Sequence, residues 1–212
     1  MVKRSKYPLL HFSILVITYT LINTTFAGNP AMGQQKSGLC QGCHGPDGNS
    51  LGPDWPNLAA QHSSYLEKQI KDFKQGKRVD PTMSNMVLDL SDEDIADIAA
   101  YFSSQKLNPS ANSNADASAL STGRKIYKGG NTYNQVPACA GCHGPNGVGN
   151  SPANFPRIAG QQKSYLIKAL KDFQSGNRTN DPNNMMQDIA AKLTAKEIEA
   201  VATYVSTLGS GE

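Results

Sequence analysis

The chain has 212 residues, 38% of them hydrophobic and 17% charged, with a formal net charge of +3. Taking Lys3, Arg4 and Lys6 from its 20 basic residues leaves 17, equal to the 17 acidic ones, so the rest of the chain is neutral and lacks the basic footprint of a nucleic-acid binder. No Gly-rich phosphate loop of the P-loop or Rossmann type is present either.

Those three cations precede an apolar stretch from Leu9 to Ile22 and a small-residue site at Thr25-Phe26-Ala27. This is the layout of a secretory signal spanning residues 1–27, with cleavage expected after Ala27 and delivery to the periplasm. The apolar stretch is too short for a bilayer span, which needs about 20 mainly apolar residues, and it is interrupted by His11, Ser13, Thr18 and Thr20. No later segment is longer, so a soluble mature chain is expected, and peripheral attachment to a membrane surface stays compatible with this.

All four cysteines fall in two short motifs, Cys40-Gln41-Gly42-Cys43-His44 and Cys139-Ala140-Gly141-Cys142-His143. In an oxidising compartment four cysteines ordinarily suggest disulfides, but a close pair followed each time by His is the pattern of covalent haem attachment. Each thiol of a pair can form a thioether to a haem vinyl group, which leaves the next residue, the His, beneath the iron. Zinc would ask for four ligands converging in one domain, whereas the motifs lie 99 residues apart. A thioredoxin-like redox pair needs no His after it. The expected cofactors are therefore two covalently bound haem c groups, held by Cys40, Cys43, Cys139 and Cys142.

After the first motif, Gly45-Pro46-Asp47-Gly48 and Trp55-Pro56 lead to a helix predicted from Ser64, with Glu67 three residues on and a stop at Gly76. A closing helix follows, in which Ile95, Ile98, Ala99 and Phe102 keep the i, i+3, i+4, i+7 spacing behind Ser91 and Asp94 in capping positions. Leu107 to Asp116, rich in Asn, Ser and Ala, reads as a polar linker. The unit then recurs: Gly144-Pro145-Asn146-Gly147, Phe155-Pro156, a helix from Tyr165 to Gly176, and Ile198, Val201, Ala202 and Val205 behind Thr194 and Glu197. No alternating strand pattern of useful length appears. The fold class is all-α, in two tandem domains, 28–106 and 117–212, joined by residues 107–116. Domains of this size have thin cores, which a large apolar cofactor would complete. Trp55 and Phe155 are expected to line its pockets, and Tyr65 and Tyr165 to pack.

The repeat also selects the second axial ligand. His62 is the one His outside the motifs in the mature chain, and its repeat partner is Gln162, so it reads as an exposed residue at the start of the middle helix. Met83 lies eight residues before Ser91, and Met186 eight before Thr194. Met at equivalent positions of divergent loops points to iron ligation, with Met86 and Met185 as fillers. The metal ligands are then His44 with Met83 and His143 with Met186. A thioether donor favours ferrous iron, and two filled axial positions favour outer-sphere electron transfer over catalysis.

These residues resemble the cytochrome c4 family, the two-domain, di-haem relatives of class I cytochromes c. The likeness rests on both C-x-x-C-H-G motifs, Asn177-Arg178-Thr179-Asn180 ahead of Met186, Ile98-Ala99-Ala100-Tyr101-Phe102, and Gly129-Gly130 with Pro137-Ala138-Cys139. It implies class I cytochrome c domains about a pseudo-twofold axis, with neighbouring haems and the same axial pairs. It further implies that Pro56 and Pro156 offer their carbonyls to the haem His residues. In the first domain Ser37 stands where the second has Tyr127, which predicts a looser opening helix there. Arg78 and Arg178, at matching positions, are candidates for pairing with haem propionates.

By this resemblance the chain is a monomeric electron carrier between redox proteins, from a quinol-oxidising complex to a terminal oxidase among the membrane respiratory complexes. The alternatives are a cytochrome subunit of a periplasmic dehydrogenase and a di-haem peroxidase, the latter requiring one iron without its Met. Residues 28–106 hold 7 basic and 10 acidic side chains, and residues 117–212 hold 10 and 6, so the halves are oppositely charged. Such a dipole would orient donor and acceptor towards different domains.

Overall fold

A local signal opens every long terminal helix. In the computed structural model, which describes residues 28–108 and 116–209, the Asn29 side chain accepts from the amides of Ala31 and Met32 and starts α1 (Pro30–Lys36). The first haem-attachment motif is on α2 (Gly38–His44), and α3 (Ser63–Lys74), α4 (Met83–Met86) and α5 (Asp92–Ser104) complete the first repeat. The second contains α6 (Ala117–Gly129), α7 (Ala140–His143), α8 (Lys163–Ser175), a 3-10 turn (Pro182–Asn184), α9 (Met185–Ala190) and α10 (Ala195–Thr207). Among the described residues the only extended pairing is two isolated bridges, Asn131 with Val136 and Asn150 with Phe155, so the class is all-α as the periodicity implied. The signal at 1–27 and linker residues 109–115 lie outside the described residues.

Both closing helices begin with a complete capping box: Ser91 and Asp94 on α5, Thr194 and Glu197 on α10 exchange side-chain and backbone hydrogen bonds. Ser91→Ala and Thr194→Ala should each cost about 1 kcal/mol, read as a lower urea midpoint at unchanged slope. The middle helix starts one residue earlier than expected, at Ser63, with His62 as its N-cap residue. Its counterpart α8 ends on Gly176 at φ 77°, a left-handed cap that glycine adopts without strain.

The architecture rests on crossings of first and last helices, α1 on α5 and α6 on α10. Gly33 and Gly123 sit at these crossings, so close that a Cβ on either would lie 2.0 Å from a backbone carbonyl oxygen, that of Asp97 or Ala200. Leu66, Ile98, Ala99, Tyr101 and Phe102 form the first core. The second is larger, built on Ile126, Tyr127, Leu166, Ile198, Val201 and Val205. Cys40 packs against the one and Cys139 against the other.

The looser opening helix expected from Ser37 is not found. Ser37 is fully buried, and Lys36 bridges Asp94 at 2.7 Å and Asp97 at 2.8 Å on α5. In the second repeat the Tyr127 hydroxyl on the opening helix donates to Gly144 O at 2.6 Å. The first repeat draws the same service from its closing helix, where the Tyr101 hydroxyl donates to Pro46 O at 2.6 Å. A phenol from either helix can therefore anchor the loop after the motif.

The repeats meet through pairs of bonds that exchange partners about the pseudo-twofold axis. Asn57 donates its amide to Gln161 Oε1 at 2.7 Å and accepts at its carbonyl from Gln161 Nε2 at 2.9 Å. Arg157 does the same with Gln61, at 2.9 and 2.8 Å. Two side-chain amides thus satisfy two stretches of buried loop backbone in the opposite repeat.

Candidate haem sites

Each site starts from a single helical turn. On α2 the spacing places Cys40, Cys43 and His44 around one turn; on the shorter α7, Cys139 is the N-cap residue and Cys142 and His143 follow. Gly45 and Gly144, at φ 79° and 78°, turn the chain away directly after each His. The departing loop is tied back by Leu51 N–H to Cys43 O at 3.3 Å and Gly149 N–H to His143 O at 2.8 Å.

Both imidazoles are buried, and each has one ring nitrogen engaged. His44 Nδ1 lies 2.8 Å from Pro56 O, and His143 Nδ1 lies 2.9 Å from Pro156 O. A carbonyl only accepts, so Nδ1 carries the proton and Nε2 keeps its lone pair. Burial pushes the pKa of both rings down, against a smaller opposing pull from the prolyl carbonyls, so both stay neutral. All four cysteines are free thiols rather than disulfides. Burial raises Cys40 above its ordinary value and pushes Cys139 up to about 11.

A pair of thiols beside a buried imidazole of fixed tautomer suits an iron porphyrin attached by thioethers. It does not suit zinc: among the described residues no three His, Cys, Asp or Glu side chains converge on a metal position.

Met83 opens α4 and Met186 lies in the first turn of α9, both half-buried. Their amides are held alike, Met83 N–H by Asp80 Oδ1 at 3.1 Å and Met186 N–H by Asp181 Oδ2 at 2.7 Å. Met86 and Met185 are 45% and 36% exposed, more than Met83 and Met186. A Cβ added at Gly52 would lie 3.1 Å from the Trp55 indole. His62 departs from expectation: it is half-buried, with its Nε2 buried.

The tyrosines and arginines do more than pack. Arg78 stacks on Phe73 of its own repeat at 4.5 Å and donates to the Tyr165 hydroxyl of the other at 3.2 Å. Arg178 stacks on Phe173 at 4.4 Å and donates to the Tyr65 hydroxyl at 3.0 Å. Gln69 Oε1 accepts from both guanidiniums and from Asn180; its repeat partner, Ala169, has no such group. Arg178 is only 7% exposed. Burial alone would raise the Tyr165 phenol, but the two guanidiniums outweigh it and bring it down to about 8. Sequence reasoning missed this network, although Tyr65 with Tyr165 and Arg78 with Arg178, at matching positions, were a signal for it.

A family model described as cytochrome c matches residues 31–106 and again 120–209. The chain is 46% identical over 183 residues to cytochrome c4 of Pseudomonas aeruginosa, covering 86% of this chain and 90% of that protein. It resembles the crystal structure of reduced recombinant cytochrome c4 from Pseudomonas stutzeri with a TM-score of 0.82 at 45% identity, over 86% of this chain and all of that one. A more distant relative, from Stutzerimonas stutzeri, is described as a thiosulfate dehydrogenase electron acceptor; it is 34% identical over 90% of this chain and 86% of its own length.

Proposed function

The chain belongs to the cytochrome c4 family, and we propose that it works in the periplasm as a carrier of single electrons from a quinol-oxidising complex to a terminal oxidase. As a member of that family it is a di-haem c-type cytochrome, an electron-transfer protein rather than an enzyme. Haem iron supplies the one-electron cycling between ferric and ferrous states.

In this reading Cys40, Cys43, Cys139 and Cys142 hold the two groups, with His44 and Met83 as one axial pair and His143 and Met186 as the other. The observation that carries it is the matched pair of buried imidazoles, each with Nδ1 given to a prolyl carbonyl and Nε2 left to bind. Pro56 and Pro156 fix the ring planes and keep the histidines basic enough to ligate. Met83 and Met186 fill the opposite positions, exclude small oxidants, and raise the potential through a soft sulfur donor. The opposite charges of residues 28–106 and 117–212 steer donor and acceptor to different repeats in salt-sensitive encounters.

A soluble dehydrogenase as electron donor is the second reading, favoured by the relative described as accepting electrons from thiosulfate dehydrogenase. Among the described residues no helix is long and apolar enough to cross a membrane, which is compatible with either donor.

The test is made on protein exported from its own leader. Its mass is expected to equal residues 28–212 plus two haems, and membranes containing a quinol-oxidising complex should reduce both haems at a rate that falls with ionic strength. One haem or none would remove the site assignment. Full loading without reduction by those membranes, but with reduction by a periplasmic dehydrogenase, would leave the second reading.

A further inference from the structure

The two opening helices reach their attachment motifs by different routes. Gly33 and Gly123 hold the same place in the helix crossings, but Gly33 stands seven residues before Cys40 and Gly123 sixteen before Cys139. Only Ser37 separates α1 from α2, whereas residues 130–139 separate α6 from α7. The second repeat thus carries nine extra residues directly ahead of its attachment cysteines, and nothing in haem binding requires them, since the first repeat does without.

These residues form a fixed loop. Gly130 turns the chain at φ 72° behind α6, and Asn131 and Val136 exchange both backbone bonds, at 2.8 and 2.9 Å. Asn131 Nδ2 and Asn134 Nδ2 donate to the Glu197 carboxylate at 2.6 and 3.2 Å, which ties the loop to the capping box of α10. Lys192 Nζ donates to Gln135 O at 3.4 Å, and Val136 is buried. At the tip the Tyr133 amide donates to Asn131 Oδ1 at 3.0 Å, while the residue is 94% exposed, the most of any large hydrophobic among the described residues.

A loop tied at both ends and through its side chains loses little further freedom when a partner covers it. An exposed tyrosine held on such a loop is the kind of anchor that dominates a protein interface. Its surroundings are basic. Arg124, Lys125 and Lys128 on α6, Lys192 before α10 and Lys196 in its first turn are all exposed, and among the described residues none of them pairs with a carboxylate. The first repeat reverses the sign: in register from the capping boxes, Asp89 and Glu93 stand where the second has Lys192 and Lys196. The neighbours of Tyr133 in the loop, Thr132, Asn134 and Gln135, are polar and offer no apolar area to sink into a bilayer.

We propose that the loop 130–136 is the contact by which the second repeat docks a redox protein, Tyr133 entering an apolar recess that the partner rims with carboxylates. The inference rests on the reading of the chain as an electron carrier whose partners meet different repeats. The cations set the rate of encounter and the register of the partner, and the tyrosine holds the complex once formed. The first repeat has neither the loop nor the basic rim, so the contact belongs to one partner and not to both.

The experiment uses the holo protein with both haems confirmed by mass and follows two half-reactions. One is reduction, by membranes containing a quinol-oxidising complex or, where these are inert, by a periplasmic dehydrogenase; the other is oxidation by membranes containing a terminal oxidase. Tyr133→Ala should lower the second-order rate of one half-reaction about tenfold or more and leave the other unchanged, with haem content, spectrum and both potentials as in the wild type. Tyr133→Phe keeps the ring and should keep most of the rate. Arg124→Glu with Lys196→Glu should slow the same half-reaction and flatten its fall with ionic strength. Wild-type protein inert in both halves would remove the carrier reading, and this proposal with it. With an active wild type, Tyr133→Ala at full rate in both halves, slowed equally in both, or shifted in potential would overturn the docking proposal alone. Unchanged rates together with lost binding to vesicles of anionic phospholipid, or with a lost dimer in sedimentation, would give the tyrosine to a membrane surface or to a second copy of this chain and overturn it likewise.

Discussion

Gly123→Ala is expected to destabilise the holo protein by about 3 kcal/mol or more, with Gly33→Ala close behind, at the upper end of what overpacking costs. A methyl group at Gly123 would sit 2.0 Å from Ala200 O, 2.6 Å from its carbonyl carbon and 2.8 Å from Tyr204 Cβ. At Gly33 the same atom meets Asp97 O at 2.0 Å and Tyr101 Cβ at 2.8 Å. These are backbone atoms and the root of a side chain, so no rotamer change relieves the contact. The helices must separate, and separation opens the core holding Ile126 and Tyr127 in the second repeat. Against this stands the better helix propensity of alanine, worth about 1 kcal/mol over glycine. Gly129 measures that term separately: it ends α6, and an added Cβ there meets nothing within 4 Å. Gly129→Ala should be neutral or slightly stabilising while Gly123→Ala lowers the urea midpoint sharply. Equal effects at the two positions would mean that α6 does not cross α10 at Gly123.

What the sequence made legible is local or repeated. The capping boxes of α5 and α10 depend on residues three apart, and both were readable as Ser91 with Asp94 and Thr194 with Glu197. The attachment motifs are equally local, since a turn of helix brings two cysteines and a histidine together. The junction was not legible. Asn57, Gln61, Gln161 and Arg157 are residue types that usually face solvent, and each partner lies about a hundred positions away. Nothing in one repeat alone says that its side-chain amides will satisfy the backbone of the other. Tyr101 shows a further limit of reading by register, because the phenol that anchors the first motif loop comes from the closing helix rather than the opening one. His62 was read as exposed because its repeat partner is Gln162, yet its Nε2 is buried. Hydrophobicity ranks a side chain; the path of the loop decides whether anything covers it.

Met83→Ala and Met186→Ala should each lower the reduction potential of one haem and leave the other nearly unchanged. A thioether prefers ferrous iron, so its loss, with water or nothing in its place, shifts the couple towards the ferric state. The expected change is more than tenfold in the ferric-to-ferrous ratio at fixed potential, more than about 59 mV for one electron. The charge-transfer absorption of a Met-ligated ferric haem should fall to about half in each single variant and vanish in the double variant, because each removes one of the two proposed sulfur ligands. Met86→Ala and Met185→Ala serve as controls, since neither has a methionine at the equivalent position of the other repeat. The anchoring of the two loops sharpens the comparison. Asp181 accepts from the amides of both Met186 and Gln187 and from the Gln187 side chain, whereas Asp80 accepts from Thr82 and Met83 alone. The α4 loop has further ties, Asp80 N–H donating to Ser84 Oγ and Asn85 Nδ2 to Pro81 O, as Gln187 Nε2 donates to Asn184 Oδ1 in the α9 loop, so each variant should leave a gap at its proposed iron site. Met83→Ala with Met86→Ala together should then match Met83→Ala alone at the first haem. A first haem insensitive to Met83→Ala but lost with Met86→Ala would move the ligand assignment three residues along the chain.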